Sequence, residues 1–159
     1  MEECREHTGL RSAKIVDGKL KLVLNNTLAA VEDGRIEIVR FLGTLDDMVQ
    51  NRLEVLFEEL VTNTIRHGFS VNSDQSIHVQ VERGPGAIKL TFEDDGVAFN
   101  PTLANVPMSL ASADPSRLGG MGIPLIVKLS SSLRYENPSP RRGDDGFHPR
   151  NRTIVSVTT

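Results

Sequence analysis

Ile77, Val79 and Val81 alternate with polar residues, Ile88, Leu90 and Phe92 do the same, and Arg83-Gly84-Pro85-Gly86 lies between the two runs. A period of two marks a strand with one buried face, and a short glycine-bearing connection predicts that the two strands pair antiparallel. Just upstream, Leu53, Leu56, Phe57, Leu60 and Thr64 recur at three- and four-residue spacing, which predicts a helix over about 48–67 with Asp46 or Asp47 as its cap. The chain therefore carries both strand and helix periods within 45 residues of each other, about the scale of one small α/β unit.

The remaining elements are read the same way. Leu20, Leu22 and Leu24 predict a strand over 14–25. Asn25, Asn26 and Thr27 offer caps to a helix over 28–42, interrupted by Gly34 and ended by Gly43. Residues 100–117 hold three prolines and no sustained period, which predicts a long loop of the kind that usually carries function. Gly119-Gly120-Met121-Gly122 opens a third helix to about Leu129, with Pro124 in its first turn. A last pair of strands is expected at 133–136 and 153–157, joined by the polar loop 137–151.

At 159 residues the chain fits one domain, and its 38% hydrophobic content excludes disorder throughout. No apolar run approaches the ~18 residues of a membrane helix, and the charged N-terminus does not read as a signal peptide. A soluble cytoplasmic protein with no membrane partner is expected, with residues 1–14 as a flexible tail. The single cysteine, Cys4, allows no internal disulfide. A net charge of −3, 4% aromatics and no Trp argue against direct nucleic-acid binding.

Three segments carry candidate chemistry. On the long helix, Glu59, Asn63 and His67 form an i, i+4, i+8 row along the edge of the apolar face, whereas Glu58 faces solvent. A carboxylate and an amide there need polar partners; read alone, the row is equally an ordinary helix shoulder. In the second strand, the alternation puts Asp94 inward with Ile88, Leu90 and Phe92 and turns Asp95 outward. A buried acid needs donors, such as a ligand amino group, although an Asp-Gly turn bonding its own backbone is the more ordinary reading of this motif alone. The third segment, Gly119 to Gly122, lets backbone N–H groups approach a ligand at a helix N-terminus, but glycines before helices are common. Phosphate-loop, HExxH and GxSxG signatures are missing.

In order and spacing, E-L-V-T-N-x-x-x-H-G at Glu59 to Gly68, D-D-G-x-x-F-x-P at Asp94 to Pro101 and G-G-M-G-I-P-L-I at Gly119 to Ile126 resemble the nucleotide-binding boxes of the GHKL (Bergerat-fold) ATPase superfamily. The closest likeness is to its anti-sigma factor serine/threonine kinases, from about residue 20 onward. The resemblance implies an α/β two-layer sandwich: a mixed, mostly antiparallel sheet covered on one face by about three helices, with a mobile lid loop over ATP. It implies Glu59 as general base, Asn63 as Mg²⁺ ligand, Asp94 as acceptor of the adenine amino group, and Gly96, Gly120 and Gly122 as close-approach glycines. His67, Phe99 and Met121 would complete the nucleotide contacts, Thr153 would lie near the adenine, and Arg117 would reach the phosphates as a lid arginine. The implied partners are ATP, a small anti-anti-sigma-like protein phosphorylated on serine or threonine and a sigma-like factor, with a homodimer left open. A nucleotide-gated binding module without useful kinase activity is the alternative. A two-component histidine kinase is disfavoured because no dimerising helical hairpin with a phosphoacceptor His precedes residue 14. Two departures stand out: Ala98 replaces the second glycine of D-x-G-x-G, and the segment Asn137 to Arg152 is long and basic, with Arg141, Arg142, Arg150 and Arg152. That segment is either a partner surface or, more ordinarily, a solvated hairpin loop.

Overall fold

The computed structural model describes residues 9–71, 73–103, 122–138 and 146–159. In chain order the elements are β1 (Leu10–Val16), β2 (Lys19–Asn25), α1 (Ala29–Leu42), α2 (Asp47–Asn63), β3 (Ser76–Gly84), β4 (Ala87–Asp94), α3 (Gly122–Leu129), β5 (Ser132–Glu136) and β6 (Asn151–Thr158). The six strands form one sheet in the order β1-β2-β3-β4-β6-β5. Every described pairing is antiparallel, so the sheet expected to be mixed is antiparallel throughout. The two-layer α/β architecture is as expected.

Strand register decides what faces the helices. Leu24, Ile77, Asp94 and Asn151 lie side by side in one cross-strand row, and Leu22, Val79, Phe92 and Thr153 in the next. All eight are buried. Each row is apolar until it reaches the β4–β6 end, where Asp94, Asn151 and Thr153 bring three buried polar groups together; the core thus closes on a polar corner. The opposite face carries charge: Arg152 bonds Glu93 at 2.8 Å through Nε and Glu136 at 3.1 Å through a terminal guanidinium nitrogen.

The helices cover the inner face. Phe57 of α2 is fully buried and meets Phe92 of β4 with ring centroids 6.1 Å apart. Burying a ring of that size contributes roughly 1.5–3 kcal/mol. Gly34 is buried inside α1, and a Cβ there would stand 2.4 Å from Phe57 Cζ. The glycine that weakens α1 as an isolated helix is what lets α1 close onto α2. Asp46 caps α2 by accepting from Met48 N–H at 3.0 Å, and Gly43, at φ +66°, ends α1. No helix among the described residues is long and apolar enough to cross a membrane.

Several expectations change. The single strand over 14–25 is two strands, because Asp17 and Gly18 both take positive φ, 50° and 73°, as a two-residue type I′ turn requires. Residues 10–14, expected in the tail, belong to β1. The caps expected of α1 are spent elsewhere: Asn25 Oδ1 accepts from Arg11, Asn26 Nδ2 donates to Ser70 O and Ser73 Oγ, and Thr27 meets the helix through its backbone carbonyl, which accepts from Ala30 N–H. The polar loop expected through Arg152 ends sooner, since Asn151 and Arg152 are already in β6. Beyond the short 3-10 turn Pro101–Leu103, the expected lid over 100–117 lies outside the described residues, as do Arg117, Gly119, Gly120, Met121, Arg141 and Arg142.

Candidate functional site

The polar corner opens into a cavity of about 320 Å³. Asn63 comes from the end of α2 and His67 from the turn that follows it, Asp94, Ala98 and Phe99 from the end of β4 and the segment after it, Ile123 and Ile126 from α3, and Asn151 and Thr153 from β6. Of the residues singled out from sequence, Asn63, His67, Asp94, Phe99 and Thr153 share this cavity. Glu59 does not. It lines a second space of about 410 Å³ with Glu32, Glu58 and Arg66, and the two spaces meet at Asn63 and His67, which line both.

Asp94 is 7% exposed, and both of its side-chain hydrogen bonds end on Oδ1, from Gly96 N–H at 2.9 Å and from Asn151 Nδ2 at 2.9 Å. Oδ2 has no donor among the described residues. Burial raises the Asp94 pKa above its ordinary value, the two donors to Oδ1 oppose that rise, and Asp95 adds to it. Asp95 points the other way, within 3.5 Å of Gln75 Nε2. The inward–outward assignment of this acid pair from alternation is thus the observed one.

Glu59 is half-buried and Glu58 exposed, again as the helix row predicts. Desolvation, then repulsion from Glu58, raises the Glu59 pKa, and Arg66 lowers it in part. Asn63 is half-buried, and its side chain makes no hydrogen bond among the described residues. After Asn63 the helix widens into a π turn, Thr64–Gly68, in which Phe69 N–H reaches Thr64 O at 3.1 Å. Such one-turn π insertions are frequent at functional sites. The turn ends in Gly68, whose carbonyl accepts from Val97 N–H at 2.9 Å. Gly96 is a close-approach glycine, but toward this carbonyl: a Cβ there would stand 2.6 Å from Gly68 O. Gly122, the last of the glycine segment, starts α3.

Sequence reasoning missed Asn151 and Tyr135. Asn151 is 5% exposed and lies directly across from Asp94. Its Nδ2 donates to Asp94 Oδ1 and to Val97 O at 3.1 Å, while its Oδ1 accepts from Phe99 N–H at 3.1 Å and from Tyr135 Oη at 2.6 Å. The signal was available: stepping back by two from Val157, Val155 and Thr153 lands on Asn151, an inward amide.

A family model described as "Histidine kinase-like ATPase domain" matches residues 24–144. An anti-sigma F factor from Priestia megaterium is 28% identical over 107 residues, 65% of this chain and 72% of that protein. The serine/threonine-protein kinase BtrW of Bordetella bronchiseptica is 27% identical over 84 residues, 53% of this chain and 59% of that protein. Among solved structures, the histidine kinase domain of the blue-light activated histidine kinase from Erythrobacter litoralis EL346 matches with a TM-score of 0.50 at 14% identity, over 85% of this chain and 61% of that one. The last likeness is one of fold.

Proposed function

The chain belongs to the histidine kinase-like ATPase domain family, and on that premise we propose that it binds Mg²⁺-ATP and transfers the γ-phosphoryl group to a serine or threonine of a small regulatory protein. The observation that carries the reading is the pair of cavities meeting at Asn63 and His67, one holding the buried Asp94 and the other Glu59. The first suits a purine: Leu60, Val97, Phe99 and Ile126 supply apolar walls, and Asp94 Oδ2 is an unspent acceptor for an exocyclic amino group. The phosphates then run past Asn63 toward Glu59, with Gly120, Met121, Gly122 and Arg117 as proposed phosphate contacts and Thr153 beside the base.

Asn63 offers a neutral amide oxygen, and no group of three or more His, Cys, Asp or Glu suited to a metal exists among the described residues. That donor set fits Mg²⁺, which usually takes few protein ligands and completes its shell with phosphate oxygens and water. When bound, the ion neutralises phosphate charge. The rest of the work is positional. Glu59, its pKa raised by burial, is a better base than a solvated glutamate. It accepts the hydroxyl proton as the acceptor oxygen bonds to the γ-phosphorus, and the bond from that phosphorus to the bridging oxygen breaks to release ADP. The name of one relative supports an anti-sigma type of regulator and that of the other a serine/threonine kinase, in keeping with an anti-anti-sigma-like protein as phosphoacceptor and a sigma-like factor as alternate partner.

Single-turnover transfer from ATP to the small protein that co-purifies with the chain tests this. Glu59→Ala is expected to lose about 10²–10⁴-fold in rate while ATP affinity falls far less, and Glu58→Ala to change neither much at neutral pH. Transfer by Glu59→Ala at near the parent rate would sink the mechanism. ATP binding without transfer to any partner would leave a nucleotide-gated binding module as the function.

A further inference from the structure

The hydrogen bonds around Asn151 carry a role for a residue outside the sequence motifs. Phe99 N–H can only donate, so the amide oxygen of Asn151 must face it, 3.1 Å away. The amide NH₂ is thereby turned toward Asp94 Oδ1 at 2.9 Å and Val97 O at 3.1 Å. Tyr135 Oη, at 2.6 Å, donates to the same Asn151 oxygen and holds the amide from β5. Arg150 N–H fixes the Asp94 backbone carbonyl at 2.8 Å, so backbone and side chain of the acid are both held from the β6 side. Oδ1 is fully engaged by two donors, and Oδ2 alone is left to the cavity.

We propose that Asn151 and Tyr135 are positioning residues that fix the Asp94 carboxylate so that Oδ2 selects a 6-aminopurine over a purine lacking the amino group. This rests on the reading of Asp94 as the nucleobase acceptor. Without the Asn151 NH₂, Oδ1 keeps a single donor, Gly96 N–H, and the carboxylate is free to rotate about its side-chain bonds. The amino group then meets an acceptor of poorer geometry, while contacts to ring faces and phosphates persist. Tyr135 acts one step further out. Its loss leaves the Asn151 oxygen with only Phe99 N–H, which loosens the amide without emptying the corner.

The experiment compares ATP with purine riboside triphosphate, which is ATP without its 6-amino group, by calorimetry on the full chain. The parent is expected to prefer ATP. The ratio of the two affinities is expected to fall by roughly fivefold in Tyr135→Phe, the worth of one ordinary hydrogen bond, and by about tenfold or more in Asn151→Ala. Purine riboside triphosphate affinity should stay close to the parent's in both. A merely structural role weakens the two nucleotides alike and leaves the ratio unchanged. That outcome, with parent-like preference for ATP, overturns this inference and spares the reading of Asp94. A parent with no preference overturns both. Tyr135 is only half-buried, so Tyr135→Phe decides the matter if Asn151→Ala does not fold.

Discussion

Replacing Asp94 by Asn should move binding and stability in opposite directions. In the free protein, both donors to this side chain, Gly96 N–H and Asn151 Nδ2, end on Oδ1. A side-chain amide keeps its oxygen there, because the two donors accept nothing else, and so presents its NH₂ to the cavity. The ligand amino group then meets a donor where it had a charged acceptor. Losing such a bond costs about 1.5–3 kcal/mol, a roughly tenfold to hundredfold loss of ATP affinity. Stability moves the other way. Burial raises the Asp94 pKa, so the folded state holds this proton more tightly than the unfolded chain does. Stability from this group is therefore greatest below the unfolded carboxyl value of ~3.9 and falls as pH rises toward the folded value. Each unit between the two withholds about 1.4 kcal/mol at neutral pH. Asp94→Asn has no proton to lose and keeps both internal hydrogen bonds, so the nucleotide-free variant should melt higher than the parent at pH 7 and converge with it toward pH 3.5. Thermal melts across that range, paired with ATP titrations, make the check. A variant that melts below the parent at pH 7, or binds ATP within about threefold of it, would refute the reasoning. Asp95→Asn is the control, and should leave ATP affinity nearly unchanged.

Three further outcomes are expected. Asn63→Ala should weaken ATP binding in the presence of Mg²⁺ and abolish most of the difference between titrations with and without the metal; unchanged titrations would remove Asn63 from the site. Repulsion from Glu58 helps raise the Glu59 pKa, so Glu58→Ala should shift the acid limb of the transfer-rate profile to lower pH while leaving the neutral-pH rate about the same; a shift to higher pH would contradict the assignment. Gly34→Ala puts a methyl 2.4 Å from Phe57 Cζ, and despite the better helix propensity of Ala it should destabilise by about 1–3 kcal/mol in denaturant titrations.

What could be read in advance follows the range of the interaction. Asp94 over Asp95, and Glu59 over Glu58, were legible because a strand alternates and a helix turns by a fixed angle, whatever the rest of the chain does. The β1–β2 turn had its signal in Asp17-Gly18, but apolar alternation on both sides read as one continuous strand. Asn151 acquires its meaning from a partner 57 positions away, and only the β4–β6 register supplies that. Gly34 looked like a flaw in α1 for the same reason: the ring that needs its missing side chain belongs to another helix. Asn25 and Asn26 had local work available as caps, and tertiary partners outbid it.

The π turn at Thr64–Gly68 sets a counting rule for this part of the chain. An α-helix advances by about 100° per residue, so deleting one residue between Asn63 and Gly68 swings everything beyond it by that angle. Gly68 O would no longer face Val97 N–H, and the shallow seat that Gly96 finds against it would be lost. A change of side chain in the turn acts locally, on the cavity that Thr64 and His67 line or on the core that Ile65 packs against. A change in its number of residues acts on everything beyond it. Insertions and deletions should therefore be far rarer than substitutions here as the sequence drifts, and a length change that did survive would have to be matched by a second one in the segment after Asp94.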